Sequence, residues 1–212
     1  MLSDPEQLDF SPSMWDAWEP LRVAELLGGL SARWFVVGGW ALELFHDNGL
    51  RDHGDLEIAV PMWRFDLIRE RLADYEFWVA GRERFWPVET AGDAYFEYQQ
   101  TMVRDPESKI WRLDVMRIPD DGAHWICSSD RRVARPYDEA ISHTSDDIPF
   151  LKPQWVLFYK SLHLRPKDQS DFEATLPLLS SGARSDLAIA LLNARGPQHP
   201  WVNALKHRTG ST

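Results

Sequence analysis

The chain has 212 residues, of which 44% are hydrophobic, and its mean hydropathy is -0.40. This length suits one substantial core, or one domain with a smaller one appended. Acidic residues outnumber basic ones by 33 to 23, which gives a net charge of -10. This charge argues against a nucleic-acid partner. It would attract a small cationic partner. No apolar run reaches the ~20 residues of a membrane span, and the acidic segment MLSDPEQLDF lacks the order of a secretory signal. We therefore expect a cytoplasmic protein without a membrane partner.

The N-terminal part of the sequence alternates helical and strand-like patterns. Apolar residues recur at helical spacing over residues 15–30, 40–46 and 61–74, and the third helix has Pro61 near its start. Short apolar runs over 33–37 and 56–60 predict two strands between these helices.

The remainder divides into a strand-rich part and a helical part. Aromatic and β-branched residues predict strands over 76–81, 84–89, 95–103, 109–118 and 124–129. Helical spacing returns over 154–164, 170–179 and 185–194, and a short terminal helix follows. We therefore predict a mixed α and β domain over residues 1–148 and a C-terminal helical segment over residues 149–212.

Carboxylates interrupt two of the predicted strands. In DLEIAV, Asp55 and Glu57 share one strand face and the apolar residues share the other, which places the two acids roughly 7 Å apart at the Cα level. Asp114 interrupts a second apolar strand in WRLDVM; if the two strands are neighbours, about 4.8 Å apart, the three acids can meet. Magnesium is usually held by one or two carboxylates together with phosphate oxygens. The pattern indicates a magnesium site, although each acid alone also fits a solvated strand face.

Two glycines, Gly38 and Gly39, lie between the first predicted strand and the second helix. Glycine allows a tight turn and a close approach to a ligand, and the free N–H groups of a helix start attract phosphate. The dipeptide by itself is better explained by a tight connection with no ligand. GGWALELF lacks the Gly-Lys-Ser/Thr ending of a P-loop, and no G-x-G-x-x-G occurs. Together with the acid pair, the glycines indicate a combined phosphate and metal site.

The segment VVGGWALELFHDNGLRDHGDLEIAV resembles the signature of the nucleotidyltransferase superfamily, Gly-Gly or Gly-Ser followed by a D-x-D/E pair. GGWAL followed by RDHGDLE is similar to the branch of aminoglycoside 2''-adenylyltransferases and lincosamide nucleotidyltransferases. WRLDVMRI and KSLHLRPKDQSDFEATLPLL are similar to segments of the same group, so the resemblance extends from about residue 20 to 180. It implies an α+β nucleotidyltransferase fold, a mixed sheet flanked by helices, with residues 1–148 as the catalytic domain.

The resemblance also implies roles for individual residues. Asp55 and Glu57 would be catalytic ligands of Mg²⁺, Asp114 would be the third acid of the metal site, and Gly38 and Gly39 would contact the triphosphate. Glu57 stands where many relatives have aspartate. We also expect Asp114 to accept the proton of the acceptor hydroxyl, because it would lie nearest to that group.

Four further polar residues are candidates for nucleotide binding. Arg51 and His53 match the family pattern and would steady the loop or a phosphate; a structural hydrogen bond is the alternative for His53. Lys160 and Lys167 are expected to reach the phosphates, since an ammonium group serves as a point charge there. Exposed surface positions are the alternative for both lysines.

Asp168 and Asp171 have the spacing of a helix N-cap and an acid in the first turn, so we interpret both as structural. The histidines show no H-E-x-x-H or Cys/His spacing, so a zinc site is not expected.

The resemblance implies transfer of a nucleoside monophosphate, from ATP or another nucleoside triphosphate with Mg²⁺, to a hydroxyl group of a small molecule. A cationic, aminoglycoside-like acceptor would suit the acidic composition. Two alternatives stay open: transfer to a protein hydroxyl, as in toxin–antitoxin pairs, and a non-catalytic nucleotide-binding module. A homodimer whose helical segment completes the pocket is also open.

Overall fold

The computed structural model describes residues 4–47 and 49–207. The strands are β1 Phe35–Val36, β2 Glu57–Pro61, β3 Glu76–Gly81, β4 Arg84–Pro87, β5 Gln100–Arg104, β6 Trp111–Ile118, β7 His124–Ile126, β8 Ala134–Pro136, β9 Ile141–His143 and β10 Pro149–Leu151. The α-helices are α1 Pro20–Leu27, α2 Gly38–His46, α3 Phe65–Arg71, α4 Asp93–Glu97, α5 Tyr137–Ala140, α6 Pro153–Lys160, α7 Pro166–Thr175, α8 Ser181–Arg195 and α9 Pro200–His207. Short 3₁₀ helices cover Pro12–Met14, Met62–Arg64, Val88–Thr90 and Leu176–Leu178.

Eight of the strands in the described residues form one sheet in the order β4-β3-β5-β6-β2-β1-β10-β9, and β7 pairs with β8 separately. The sheet is mixed, because β2 is parallel to β6 and antiparallel to β1, and β1 is parallel to β10. Helix α2 packs against β2 and β10 and contacts α6 and α7. The predicted combination of a mixed sheet and packed helices is confirmed.

The central strands β2 and β6 separate an apolar face from a polar one. Their core-facing side chains are fully buried, as the alternation of a strand requires: Ile58, Val60, Leu113 and Val115, together with Leu56 just before β2. The register pairs Glu57 with Asp114 and Ala59 with Met116 on the other face. The strands predicted around the two acidic motifs are therefore neighbours.

The predicted strand over residues 95–103 is wrong in its first half, where the chain forms α4 before β5 begins at Gln100. The cause is a tertiary contact: the buried guanidinium of Arg117 donates hydrogen bonds to the carbonyl groups of Tyr95 (2.6 Å) and Tyr98 (2.5 Å). These carbonyls end a helical turn that local β-propensity does not predict.

The observed bounds of several helices differ from the predicted ones. The first is shorter than residues 15–30, because Pro20 starts α1 and Gly28 follows its last residue. The helix predicted over 61–74 is divided into a 3₁₀ turn and α3, and Trp63, one of the apolar residues in the predicted helical pattern, is 72% exposed. The helix predicted over 170–179 begins at Pro166, four residues earlier.

Helices α6 to α9 follow β10, which lies inside the main sheet next to β1. The division between residues 148 and 149 stays a prediction. Across the part of the chain that the structure describes, no helix has both the length and the apolar composition to cross a membrane.

Candidate functional site

The two glycines form the first turn of α2, which begins at Gly38 rather than at the predicted Trp40. Gly38 has φ +64°, and a Cβ built on it would lie 1.7 Å from Glu57 Oε2. A Cβ on Gly39 would lie 2.5 Å from Cε1 of His53. Both positions therefore require glycine, because a carboxylate and an imidazole ring pack directly on the backbone.

Replacing Gly38 with alanine is expected to weaken nucleotide binding through displacement of Glu57, in addition to a backbone cost of about 1–2 kcal/mol. Gly29→Ala is the matched control: Gly29 has φ +70°, but a Cβ added there would have no neighbouring atom of the described residues within 4 Å. Urea unfolding and calorimetric nucleotide titration would separate the two effects. Nucleotide binding by Gly38→Ala equal to that of Gly29→Ala would contradict the assignment.

Two of the acids predicted from the sequence, Glu57 and Asp114, lie side by side on the polar face of the sheet, and the third, Asp55, lies just before it. Asp55 is exposed two residues before β2 and Glu57 is partly buried at its start, and both line a cavity of about 370 Å³. Asp114 is paired in register with Glu57 and is 2% exposed. The next residues on the same face, Ala59 and Met116, also line the cavity.

The electrostatics of these acids are unfavourable without a cation. Burial, and next the charge of Asp55, raises the pKa of Glu57. Burial and the charge of Glu57 raise the pKa of Asp114 well above its usual range. Asp114 Oδ2 accepts a hydrogen bond from Gln100 Nε2 (2.6 Å), whereas its buried Oδ1 has no hydrogen-bond partner among the described residues. An orphaned carboxylate oxygen beside a second carboxylate fits a bound cation.

The donor chemistry is that of magnesium, which prefers carboxylate and phosphate oxygens. Among the described residues, no three side chains of His, Cys, Asp or Glu are arranged so that they could hold a metal ion together. Ligation of one ion by Asp55, Glu57 and Asp114 therefore stays a prediction. One or two of these carboxylates with substrate phosphate oxygens would suffice for Mg²⁺.

The raised pKa of Asp114 makes stability depend on pH. As the pH rises above the ordinary aspartate pKa, the unfolded chain releases this proton before the folded chain does, so the free energy of unfolding falls. We expect Asp114→Asn to raise the melting temperature near about pH 8, by roughly 2–4 °C per kcal/mol of relieved repulsion. The effect should shrink near about pH 4, close to the ordinary aspartate pKa, because the raised pKa keeps wild-type Asp114 protonated there in the folded chain. A gain that is the same at both pH values would contradict this account.

Cationic side chains line the same cavity as the acids. Its lining holds four lysine or arginine side chains and two acidic ones, namely Arg51, Lys160, Arg165 and Lys167 against Asp55 and Glu57. The charges of Lys160, Lys167 and Arg165 partly offset the raised pKa of Glu57. The net charge of -10 therefore does not describe the cavity, which presents cations to an anionic ligand beside a carboxylate pair.

Lys160 and Lys167 both line the cavity but differ in their surroundings. Lys160 is 8% exposed, and its Nζ lies 2.8 Å from Asp171 Oδ2 and 3.3 Å from Asp168 Oδ1. Lys167 is exposed in the first turn of α7 and forms no ion pair within residues 4–47 and 49–207. The surface alternative is wrong for Lys160, which is a buried ammonium group.

The interpretation of Asp168 as an N-cap is wrong by three residues, because Arg165 occupies the N-cap of α7. Asp168 Oδ2 accepts a hydrogen bond from the backbone N–H of Arg165 (3.1 Å), so the carboxylate still closes the helix start. Asp171 lies beyond the first turn and contacts Arg51 and Lys160 instead. The sequence pattern therefore indicated the correct helix for these two acids but not the residues that they contact.

The loop between α2 and β2 is held by Glu43, which sequence reasoning missed. Glu43 Oε2 accepts hydrogen bonds from the backbone N–H groups of Leu50 (2.8 Å) and Arg51 (3.3 Å), and lies 3.4 Å from His53 Nε2. Burial, and next the charge of Arg51, lowers the pKa of His53. The sequence contained one indication of this role: Glu43 is an acid near the end of a predicted helix, and the loop that follows has backbone N–H groups that need acceptors.

The far end of the cavity is apolar. It is lined by Met116 and Ile118 of β6, Leu151 of β10, Trp125 and Tyr159. The hydroxyl of Tyr159 accepts a hydrogen bond from the backbone N–H of Ser128 (2.9 Å). The cavity therefore combines a charged end, suited to phosphate and metal, with an end suited to an aromatic or apolar group.

No model of a known protein family matches the sequence, and no curated protein matches it. Two solved structures are similar in fold. The lincosamide antibiotic adenylyltransferase LnuA, bound to lincomycin, aligns with a TM-score of 0.50 at 15% identity, over 72% of this chain and 91% of that chain. The antibiotic-resistance factor ANT(2'')-Ia aligns with a TM-score of 0.51 at 10% identity, over 89% and 94%. The predicted α+β fold class is confirmed.

Proposed function

Because the chain has the nucleotidyltransferase fold, we propose that it is a magnesium-dependent enzyme that transfers a nucleoside monophosphate from a nucleoside triphosphate to a hydroxyl group. One observation carries the proposal. Glu57 and Asp114 are paired on one sheet face, Asp55 lies two residues before β2, and Asp55 and Glu57 line one cavity with the glycine turn at Gly38 and Gly39 and with basic side chains. This is the chemistry that a metal-bound triphosphate needs.

The residues of the charged end would bind the triphosphate. The N–H groups at the start of α2 and the side chains of Lys160, Lys167 and Arg51 would neutralise its phosphates. His53, whose lowered pKa favours the neutral ring, would hold the loop through Glu43. The apolar end, beside Tyr159 and Trp125, would take the nucleobase or an apolar part of the acceptor. We take ATP as the first nucleotide to test.

The reaction is an in-line displacement at the α-phosphorus. The acceptor oxygen forms a bond to phosphorus, the bond to the bridging oxygen of pyrophosphate breaks, and pyrophosphate leaves. Mg²⁺, held by Asp55 and Glu57 with Asp114 as the third acid, would supply charge neutralisation of the phosphate oxygens. Asp114 would take the hydroxyl proton on Oδ1, while Gln100 holds Oδ2 in place.

The proposed acceptor is a small hydroxylated molecule, and an aminoglycoside-like cation is one candidate. The similarity in fold to a lincosamide antibiotic adenylyltransferase and to an antibiotic-resistance factor supports a small-molecule acceptor. Apart from Asp55 and Glu57, however, no acidic side chain of the described residues lines the cavity, so a lincosamide-like acceptor with fewer charges suits it equally. We expect the enzyme to act in the cytoplasm, and a homodimer stays a prediction.

The test is an assay of pyrophosphate release with ATP, Mg²⁺ and panels of aminoglycosides and lincosamides. Release that depends on an acceptor, with a matching mass increase of that acceptor, would support the proposal. A nucleotide mass on a co-purified protein would instead support the protein-acceptor alternative. Nucleotide binding with neither product would favour the non-catalytic module.

A further inference from the structure

We propose that Asp171 is a positioning residue of the triphosphate site, through which helix α7 holds Arg51 and Lys160 in place for the phosphates. The inference rests on the proposed function, since it assigns a role within the same site. It also means that the C-terminal segment completes the site that the N-terminal glycines and acids begin.

The carboxylate of Asp171 holds two cations: Arg51 donates to both of its oxygens, with Nη2 3.5 Å from Oδ2, and Lys160 contacts Oδ2 as well. Oδ1 lies 3.1 Å from Arg51 Nε and Oδ2 lies 2.8 Å from Lys160 Nζ. Arg51 comes from the loop before β2 and Lys160 from the last turn of α6, so the contacts join parts that are far apart in sequence. Both cations line the cavity. Because a carboxylate that is bound on both sides cannot turn, it fixes both side chains at once.

Burial makes this arrangement rigid. The side chain of Asp171 is only 2% exposed, so water does not compete for its oxygens. Burial raises the pKa of Asp171, but hydrogen bonds from Lys160 and Arg51 more than offset this and leave the pKa below its usual value. Asp171 is therefore ionised at neutral pH and stays paired.

Asp168 has a different role, although it also contacts Lys160. Its other contacts are with the backbone and side chain of Arg165, at the start of its own helix. Lys160 keeps this partner if Asp171 is changed. A neutral substitution at position 171 therefore leaves the buried ammonium group with one carboxylate, and the fold should tolerate it.

Charge and position predict opposite effects for Asp171→Asn. The variant loses a negative charge beside the cationic end of the cavity, so electrostatics alone predicts tighter binding of an anion. If Asp171 positions Arg51 and Lys160, binding should instead weaken, because both cations lose their fixed orientation. The sign of the change in affinity therefore separates the two explanations.

The experiment is calorimetric titration of inorganic tripolyphosphate and of MgATP into wild type, Asp171→Asn and Glu173→Gln. Glu173→Gln is the matched control, because it removes one acidic charge from an exposed position on the same helix. We expect Asp171→Asn to bind both ligands at least about tenfold more weakly, and the control to bind as wild type does. Equal or tighter binding by a folded Asp171→Asn would overturn the inference.

A double-mutant cycle with Arg51→Gln tests whether Asp171 acts through Arg51. If Asp171 acts through Arg51, the losses in the single variants will not add in the double variant, and additive losses would overturn that route. Should Asp171→Asn not fold, Asp171→Glu keeps the charge and moves the carboxylate by one methylene group; unchanged tripolyphosphate binding would then overturn the inference. If wild type binds neither ligand, the proposed function itself fails, and the inference with it.

Discussion

Replacing Asp114 with asparagine is expected to lower the rate of nucleotidyl transfer by roughly 10²–10⁴-fold, the usual contribution of a positioned general base. The variant keeps the size of the side chain and an acceptor for Gln100, but it can no longer take the hydroxyl proton on Oδ1. It also removes the buried charge that Glu57 opposes. Activity should therefore fall while stability at neutral pH is kept or improved.

The measurement is the rate of pyrophosphate release with an acceptor that wild type modifies, beside the melting temperature. Asp74→Asn is the control, since Asp74 is exposed and outside the cavity lining. A transfer rate for Asp114→Asn equal to that of this control would remove Asp114 from the mechanism. If the rate falls and the variant is also unfolded, the loss is due to its structure and not to the missing general base.

Replacing Lys160 with methionine is expected to destabilise the fold by about 3–5 kcal/mol, because it leaves Asp168 and Asp171 buried without this shared cation. For a chain of this length, that corresponds to a fall in melting temperature of roughly 6–20 °C. Lys160 would thus support the C-terminal helices and the phosphate site together. The variant should also lose nucleotide affinity.

Lys167→Met is the matched control, because Lys167 lines the same cavity but is exposed. Its melting temperature should stay close to that of wild type, while its affinity for MgATP should fall if it contacts a phosphate. Thermal melting and calorimetry on both variants make the comparison. Equal melting temperatures for the two variants would show that the buried network contributes little to stability.

The part of the site that follows from local periodicity could be predicted from the sequence. Alternation along DLEIAV and WRLDVM places Glu57 and Asp114 on the polar faces of two strands, and the structure pairs them in register. The glycine turn was also recognisable, because strand, Gly-Gly and helix follow one another directly. These features depend on residues within a few positions of one another.

The parts that could not be predicted depend on contacts between distant segments. Asp171 and Arg51 are 120 residues apart, and no local pattern indicates that they pair. The same holds for Arg117, whose bonds to the carbonyl groups of Tyr95 and Tyr98 turn a predicted strand into α4. Net charge was equally uninformative about the cavity, since it sums over a surface that the ligand does not contact.

The central claim is that the glycine turn and the acids form one magnesium-dependent nucleotide site. Its most direct test is calorimetric titration of an ATP analogue that cannot be cleaved between the α- and β-phosphates, with and without Mg²⁺, into wild type and Asp55→Asn. We predict binding to wild type that requires Mg²⁺ and is lost in the variant. Failure of wild type to bind this analogue and the corresponding analogues of the other three nucleoside triphosphates in the presence of Mg²⁺ would contradict the claim.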